Sequence, residues 1–297
     1  MGTIADKLTY LNGTKTAIKD AIVAKGVAIS DSDTFRSYAD KIGQIESGGS
    51  GAPTTKYGVS IDNLLGNVDA EGVMIIPRTP FEIKAVGVKV IGPHAMQYKF
   101  YSLSNITSAD FSSVETIEEY GLYQAMYNSS VANVDFSNLK VVDNRGLYSA
   151  FSAASVKTAN FGNLQTIFEY GCYEMLKTSR ITTIDLHNLV SVGNNGLYNA
   201  FHNTGLESID LSALATLGSN ALYGAFYNTK LKSISFPLLT SIQSNSFGTS
   251  TSSSQTFRSC TELTEIHFRA DMQATIEALS GYASKFGATN ATIYFDL

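Results

Sequence analysis

The stretch that decides the fold is NGLYNAFHNTGLESIDLSAL, residues 195–214. Its first half places a tyrosine, a phenylalanine and a histidine close together, and its second half puts Asp210 between two aliphatic residues. Taken alone, these residues suggest a ligand site, with aromatic rings to hold a substrate and His202 as a general base. The alternative is that the stretch is one unit of a repeat, and the rest of the chain decides between the two.

The same pattern recurs along the chain at intervals of 25 residues. Segments of the form G-L-Y-x-A-F, followed by L-x-x-L-x-L-x-x-L-x-x-L, begin at Gly121, Gly146, Gly171, Gly196 and Ala221. A degenerate copy begins near residue 96, and a late copy, stretched by GTSTSSS, ends at TELTEIHF. A fixed period of this size is typical of a solenoid, here with about seven coils.

The positions that are apolar in every copy predict how one coil folds. The central L-x-L has period two and predicts a short strand, and stacked coils would place such strands in a parallel sheet about 4.8 Å apart. In G-L-Y-x-A-F, Leu147, Ala150 and Phe151 fall at i, i+3 and i+4, which predicts a helical turn held by packing. The predicted fold class is an α/β repeat protein: a leucine-rich-repeat solenoid with one short parallel strand and one helical turn per 25-residue coil, preceded by a small helical N-terminal module.

Two columns of the repeat carry the side chains that first suggested chemistry. We expect the tyrosine column to stack ring on ring between coils, and a sugar-binding platform is the alternative. A second column accepts tyrosine, serine, lysine and histidine, which predicts that it faces water and that His202 is a surface side chain rather than a ligand or base. The tyrosine column is Tyr123, Tyr148, Tyr173, Tyr198 and Tyr223, and the varied column is Tyr127, Ser152, Lys177, His202 and Tyr227.

A polar column recurs in the middle of the predicted strands. Carboxylates stacked at strand spacing repel one another, so their accumulation needs a reason. One reason is a strand face kept polar by solvation, and the other is a binding surface for glycan hydroxyls or a cation. The candidate binding column is Asp110, Asp135, Asn160, Asp185 and Asp210.

The composition argues against several function classes. The chain carries 21 Lys and Arg against 26 Asp and Glu, so it lacks the basic stripe of a nucleic-acid-binding protein. Cys172, Cys260 and four scattered histidines form neither a disulfide framework nor a zinc motif. No long apolar run predicts membrane insertion, and the first residues lack the pattern of a secretory signal. We expect no nucleic acid partner, no metal and no cofactor.

The sequence contains no motif that assigns a catalytic residue. It lacks a P-loop, a nucleophile elbow and an HExxH motif. Asp185 and Asp210 would be neighbours on adjacent coils, and paired carboxylates do act in enzymes that cleave glycans. A catalytic pair needs environments that separate two pKa values, whereas these two positions are equivalent. A protein that is not an enzyme is favoured, and a glycan-cleaving enzyme is the weaker alternative.

Composition divides the chain into five parts. We predict a helical attachment or oligomerisation module at 1–46, a Gly/Ser-rich linker at 47–56, a β-rich N-terminal cap at 57–95, the solenoid at 96–268 and a C-terminal helix–strand cap at 269–297. The alternative for the first part is a helical hairpin that rests on the rest of the chain. The expected attachment residues form apolar stripes: Ile4, Leu8, Leu11, Ile18, Ile22, Phe35, Tyr38 and Ile42.

The coils resemble the BspA-type leucine-rich repeats over roughly residues 96–268. The resemblance rests on L-x-x-L-x-L-x-x-L-x-x-L with G-L-Y-x-A-F between copies, and it implies a right-handed solenoid used for adhesion. The chain departs from the commonest family form in its 25-residue period and in lacking the usual cysteine after the aromatic residue. Asn128, Asn203 and Asn228 stand at that place.

The N-terminus resembles the short helical module that opens many bacteriophage tail and tail-fibre proteins. The resemblance rests on LTYLNGTKTAIKDAIVAKGV, DTFRSYADKIGQI and the later YGVSIDNLLGNVDAEGV. It implies a receptor-binding tail protein, made in the host cytoplasm without a signal peptide and then part of the virion. Its partners would be other tail proteins at the N-terminus and a host surface glycan or protein, with a homo-oligomer, a trimer above all, expected. The alternative is a bacterial surface adhesin of the BspA type.

Overall fold

The computed structural model describes residues 15, 16, 18, 19, 79–85, 87–250 and 255–297. The chain divides into two compact units, Met1–Thr54 and Thr55–Leu297. In the first unit, Lys15, Thr16, Ile18 and Lys19 are helical. The other predicted attachment residues, the linker at 47–56 and the first part of the predicted cap, 57–78, lie outside the described residues, so those predictions stay open.

The second unit is a parallel-strand solenoid with eight successive coils in its described part. We number its strands β1 to β16 in chain order. The first row of strands is β1 Phe81–Lys84, β3 Ile106–Asp110, β5 Asn133–Asp135, β7 Thr158–Asn160, β9 Thr183–Asp185, β11 Ser208–Asp210, β13 Ser233–Phe236, β15 Glu265–Phe268 and β16 Thr292–Phe295. The second row is β2 Val90–Ile91, β4 Thr116–Ile117, β6 Val141–Val142, β8 Thr166–Ile167, β10 Ser191–Val192, β12 Thr216–Leu217 and β14 Ser241–Ile242.

Both rows pair in parallel, each strand with its counterpart in the next coil. The second row forms one seven-stranded sheet from β2 to β14. The first row forms ladders β1-β3-β5-β7, β9-β11 and β13-β15-β16. Most coils therefore contain two short strands rather than the single strand predicted. The second strand escaped prediction because two residues are too few to show a period of two.

The segment predicted as a helical turn is a run of turns instead. The N–H of Gln124 donates across to the carbonyl of Tyr148 in the next coil at 2.8 Å, whereas the N–H of Ala125 donates back to Leu122 at 3.0 Å. Every fourth residue has a left-handed backbone, as at Tyr120 with φ 55° and Gln124 with φ 47°. An α-helix requires every N–H to bond four residues back within one coil, so this alternation excludes it. We call this side of the solenoid the turn face, residues 93–102 in the first coil and the equivalent residues of later coils.

The apolar positions of the repeat form the core, as the sequence predicts. Leu147, Ala150 and Phe151 are fully buried although their backbone is not helical. Phe136 stacks between Phe111 and Phe161, with ring centroids 4.8 and 5.1 Å apart. Burying one such side chain contributes about 1.5–3 kcal/mol. Because every coil contributes to one continuous core, each coil stabilises its neighbours.

The C-terminal part packs against the last coil, where Phe286 contacts Phe247 and Phe268. A 3-10 turn, Ala270–Met272, leads into helix α1, Gln273–Glu277, and a second 3-10 segment spans Tyr282–Gly287. Ile276 of α1 is fully buried. The final strand β16 pairs in parallel with β15, so it continues the first row of strands beyond the last coil.

Candidate functional site

The candidate binding column lies in register on the first row of strands. The Cα partners run from Asp110 to Asp135 to Asn160, and Asp185 pairs with Asp210 in a separate ladder. The side chains point away from the core, because the apolar residues before and after each of them face inward. We call this surface the strand face.

The strand face contains two shallow concavities. One, of about 470 Å³, is lined by Asp110, Asp135 and Asn160 together with Lys84 and Glu82. The other, of about 590 Å³, is lined by Asp185, Asp210, His187 and neighbouring serines. The structure thus divides the predicted column between two hollows rather than gathering it into one.

The structure also gives the acidic column a structural role. The Oδ1 atom of Asp135 accepts a hydrogen bond from the backbone N–H of Ser137, two residues on, at 2.9 Å. The same contact recurs at Asp110, Asn160, Asp185 and Asp210, over distances of 2.9, 3.2, 3.0 and 2.8 Å. These Asx turns end each strand, and only Asp or Asn side chains make them so readily. The second carboxylate oxygen of each aspartate is not needed for the turn.

Asp185 is the member of the column with the strongest local electrostatic contact. His187 contacts its Oδ1 twice, through the backbone N–H and through the ring Nδ1, which lies at 2.7 Å. Partial burial raises the pKa of the Asp185 carboxyl, but the hydrogen bonds and charge of His187 outweigh this and hold that pKa below its usual range. Nε2 of the same ring lies 2.8 Å from the Asn188 amide. Asp185 is therefore ionised and held in place at neutral pH.

Within the described part of the chain, no group of three or more His, Cys, Asp or Glu side chains is placed to hold a metal ion. Both cysteines are buried as free thiols, and burial raises the pKa of each. A buried thiol of this kind is unreactive, because the thiolate is the nucleophile. Neither cysteine offers a candidate for covalent chemistry.

The tyrosine column forms the ring ladder that the repeat predicts. Consecutive rings from Tyr123 to Tyr223 stack with centroids 4.8, 4.5, 4.7 and 4.3 Å apart and interplanar angles of 17° or less. Burial is the main cause that raises the pKa of Tyr123 to about 12, with neighbouring tyrosines adding to it. Ladder stacking stabilises the turn face, and it hides the ring faces inside the ladder from a ligand.

The prediction that the varied column faces water is met only in part, since four of its five residues are partly exposed and one is buried. Ser152 is buried, and His202 is half-buried and stacks on Tyr227 with ring centroids 4.3 Å apart. Burial, followed by the charge of Lys177, lowers the pKa of His202. Side chains on the turn face lie over the neighbouring coil, so a column can vary in chemistry and still be covered. His202 is a packing residue, neither a free surface group nor a base.

Sequence reasoning missed two further ladders. On the turn face, the guanidinium of Arg145 lies between the rings of Tyr120 and Tyr170, at 5.5 and 4.8 Å from their centroids. Beside the strand face, the amides of Asn138, Asn163 and Asn188 each donate to a carbonyl of the preceding coil at 2.6 to 2.7 Å. The signal for the second ladder was the asparagine repeated at 25-residue spacing before a leucine.

Comparison with known proteins identifies the repeat. The model of the BspA type leucine rich repeat region matches six copies over residues 88–199 and 148–254, together more than half of the chain. No curated protein matches. A crystal structure of a leucine-rich repeat protein from Bacteroides ovatus ATCC 8483 is 15% identical with a TM-score of 0.35, over 70% of this chain and 64% of that one. This chain thus spans less than two thirds of that protein.

The described residues contain no helix with the length and apolar character to cross a membrane. What they do contain is a stack of coils with two polar faces and a continuous apolar core. By its repeats, this chain belongs to the BspA-type leucine-rich repeat family.

Proposed function

We propose that this protein is a bacteriophage tail component that binds a receptor on the host cell surface through its solenoid. The observation that carries the binding role is the solenoid itself, a binding scaffold that presents side chains in regular columns over many coils. Membership of the BspA-type family supports a role in surface binding. The resemblance of the N-terminus to phage tail modules supports the tail assignment.

In this proposal the two units have separate tasks. The first, around the stripe that includes Ile18, attaches the protein to other tail proteins and holds a homo-oligomer, with a trimer favoured. The second presents the solenoid to a host glycan or protein. The protein is made in the host cytoplasm and ends in the virion.

A bacterial surface adhesin of the BspA type is the second candidate, and the family match favours it as much as it favours the first. The two differ in where the protein is found. Mass spectrometry of purified phage particles finds the chain in tails if the first proposal is right. Detection on intact bacterial cells, with absence from particles, would establish the adhesin.

Binding by the strand face can be tested separately from its folding. Asp185→Asn keeps an oxygen for the Asx turn and removes the charge, whereas Asp185→Ala removes both. If the carboxylate contacts the receptor, both variants bind bacterial cells at least about tenfold more weakly, since one such lost contact is worth about 1.4 kcal/mol or more. If only Asp185→Ala binds less and its melting temperature falls, the residue is structural. Asp135→Asn and Asp135→Ala apply the same test to the other concavity.

A further inference from the structure

The turn face has an unusual first coil. Later coils place a tyrosine at the ladder position, but in the first coil that position is occupied by Gln97, 26 residues before Tyr123. The aromatic residues there are its neighbours Tyr98 and Tyr101. They are among the most exposed large apolar side chains of the described residues, at 49% and 44%.

Tyr98 occupies a position at which the repeat does not require an aromatic residue. Its backbone is left-handed, with φ 57°, a conformation that costs free energy for a residue with a large side chain. The equivalent positions of the next five coils are all small or polar: Gln124, Ser149, Glu174, Asn199 and Gly224. Those coils fold without an aromatic ring at this place, so the repeat itself does not require one at Tyr98. An exposed aromatic side chain that the repeat does not require points to a role outside folding.

The rings of the first coil are arranged as an open platform. Tyr101 stacks on Tyr127 with centroids 5.0 Å apart and an interplanar angle of 12°, and the Tyr101 residue as a whole is 44% exposed. Tyr98 meets Tyr123 edge-on at 5.4 Å and 77°, and its centroid lies 6.4 Å from that of Tyr101. Unlike the rings inside the ladder, these two offer ring surface to a ligand.

The surroundings of the platform are polar and largely uncharged. The amide of Asn128 donates to the hydroxyl of Ser102 at 3.3 Å, and both residues are exposed beside the rings. Gln97 lies within 2.8 Å of a ring nitrogen of His94. Lys99 is the one lysine or arginine between residues 90 and 139. Amides and hydroxyls that surround open aromatic rings match the hydroxyls and the apolar C–H face of a sugar ring.

We propose that Tyr98 and Tyr101, with Asn128 and Ser102 beside them, form a binding platform for a neutral polysaccharide. This inference rests on the proposed surface-binding function and names the class of its ligand. A nucleic acid or an acidic glycan needs a cluster of cations, and among residues 90–139, all of them described, Lys99 is the one lysine or arginine. A proline-rich peptide also packs on aromatic rings, and the assay below includes one as the competing ligand.

The chain itself supplies the variants for a test. Tyr98→Gln and Tyr101→Ser install the residues that the fold carries at equivalent places, Gln124 and Ser152. Neither change removes a core side chain, so we expect the melting temperature to fall only slightly, through the loss of the ring contacts with Tyr123 and Tyr127. The matched control is Phe168→Gln, which removes an aromatic side chain of similar exposure, 47%, from another surface. Gln243 is its equivalent in a later coil.

The assay titrates the full chain with dextran, amylose and a β-1,3-glucan, and in parallel with heparin and an oligoproline peptide. Tyrosine fluorescence reports binding, since the chain has no tryptophan. We expect at least one neutral polysaccharide to bind, at least tenfold more weakly to the Tyr98→Gln/Tyr101→Ser double variant, and unchanged to Phe168→Gln. Equal binding by the double variant, or binding of heparin or oligoproline alone, overturns the proposal.

Binding to whole bacterial cells separates this inference from the proposed function. If the protein binds cells but none of the neutral polysaccharides, the platform proposal fails and the surface-binding function stands. If the polysaccharide binds at the platform and cells of a broad panel do not bind, the proposed function fails and the platform stands.

Discussion

On the turn face, particular residues must accept a left-handed backbone conformation for the chain to turn toward the next coil. Left-handed backbone recurs at fixed places, and asparagine occupies many of them, as at Asn128, Asn203 and Asn228. Asparagine tolerates this conformation better than most residues do. These are the same asparagines that replace the family's usual cysteine. Their spacing was visible in the sequence, but the conformation was not, because nothing in a single sequence distinguishes a left-handed asparagine from one that makes a hydrogen bond.

Ala153 is a position on the turn face where a substitution should raise the stability of the protein. It is exposed, with φ 56°, and its column otherwise carries asparagine, serine or threonine. We expect Ala153→Asn or Ala153→Gly to raise the free energy of unfolding by about 1 kcal/mol, because the left-handed strain is relieved. Denaturant unfolding measures the change. Ala132→Gly, at a position with an ordinary φ, should lower stability instead, and an equal effect of both glycines would contradict the explanation.

Glu115 makes a second prediction at the residue scale. Its carboxylate lies 2.8 Å from the Nζ atoms of Lys140 and Lys89. These contacts lower the pKa of Glu115 from 4.5 to about 2, and the hydrogen bond from Lys140 is the largest cause. The contribution of this contact to stability is therefore present above pH 4.5 and is lost as the pH falls through about 2. NMR titration of the side-chain carboxyl should show this pKa, and Lys140→Met should raise it. A pKa that does not respond to Lys140→Met would sink the assignment.

At the scale of the element, the sequence predicted the first strand of each coil and missed the second. The first strand was predictable because Val134 and Phe136 alternate with Asp135 and face the core. The turn run was mistaken for a helix because Leu147, Ala150 and Phe151 have helical spacing. Bonds between coils decide the outcome there, and a contact between residues 24 or more apart leaves no trace in local periodicity. The platform could not be predicted at all, since it depends on which ring faces remain open.

The tyrosine ladder is the element whose strength can be measured directly. Tyr173 stacks on both sides, on Tyr148 and Tyr198. Tyr173→Ala should lower the free energy of unfolding by about 1–3 kcal/mol for two lost stacks, beyond the loss of buried apolar area. Tyr173→Phe keeps both rings in place and should cost much less. Chemical denaturation of the two variants makes the comparison, and equal losses would show that the hydroxyl rather than the ring matters.

At the scale of the whole molecule, each coil contacts only its neighbours. A destabilising substitution should therefore loosen only the coils near it. Ile276, fully buried in α1, lies over the last coil. Ile276→Ala should cost about 2–5 kcal/mol. Hydrogen exchange should then become faster in β13, β15 and β16 and stay unchanged in β3 and β5. Leu139→Ala, in a central coil, should affect β3 and β5 instead. Uniform loss of protection in both variants would mean that the solenoid unfolds as one unit.

The backbone bonds of the turn face have a consequence for how such a protein changes in length. Every second N–H there reaches a carbonyl in the next coil, and the partner coil offers the same groups onward. A duplicated unit of 25 residues can therefore be inserted between two existing coils. The coils on either side present the carbonyl and N–H groups to which its own backbone groups bond. The strand face then lengthens by one strand spacing, about 4.8 Å, and the existing coils keep their structure. The length of the solenoid can thus vary in uniform steps of one coil.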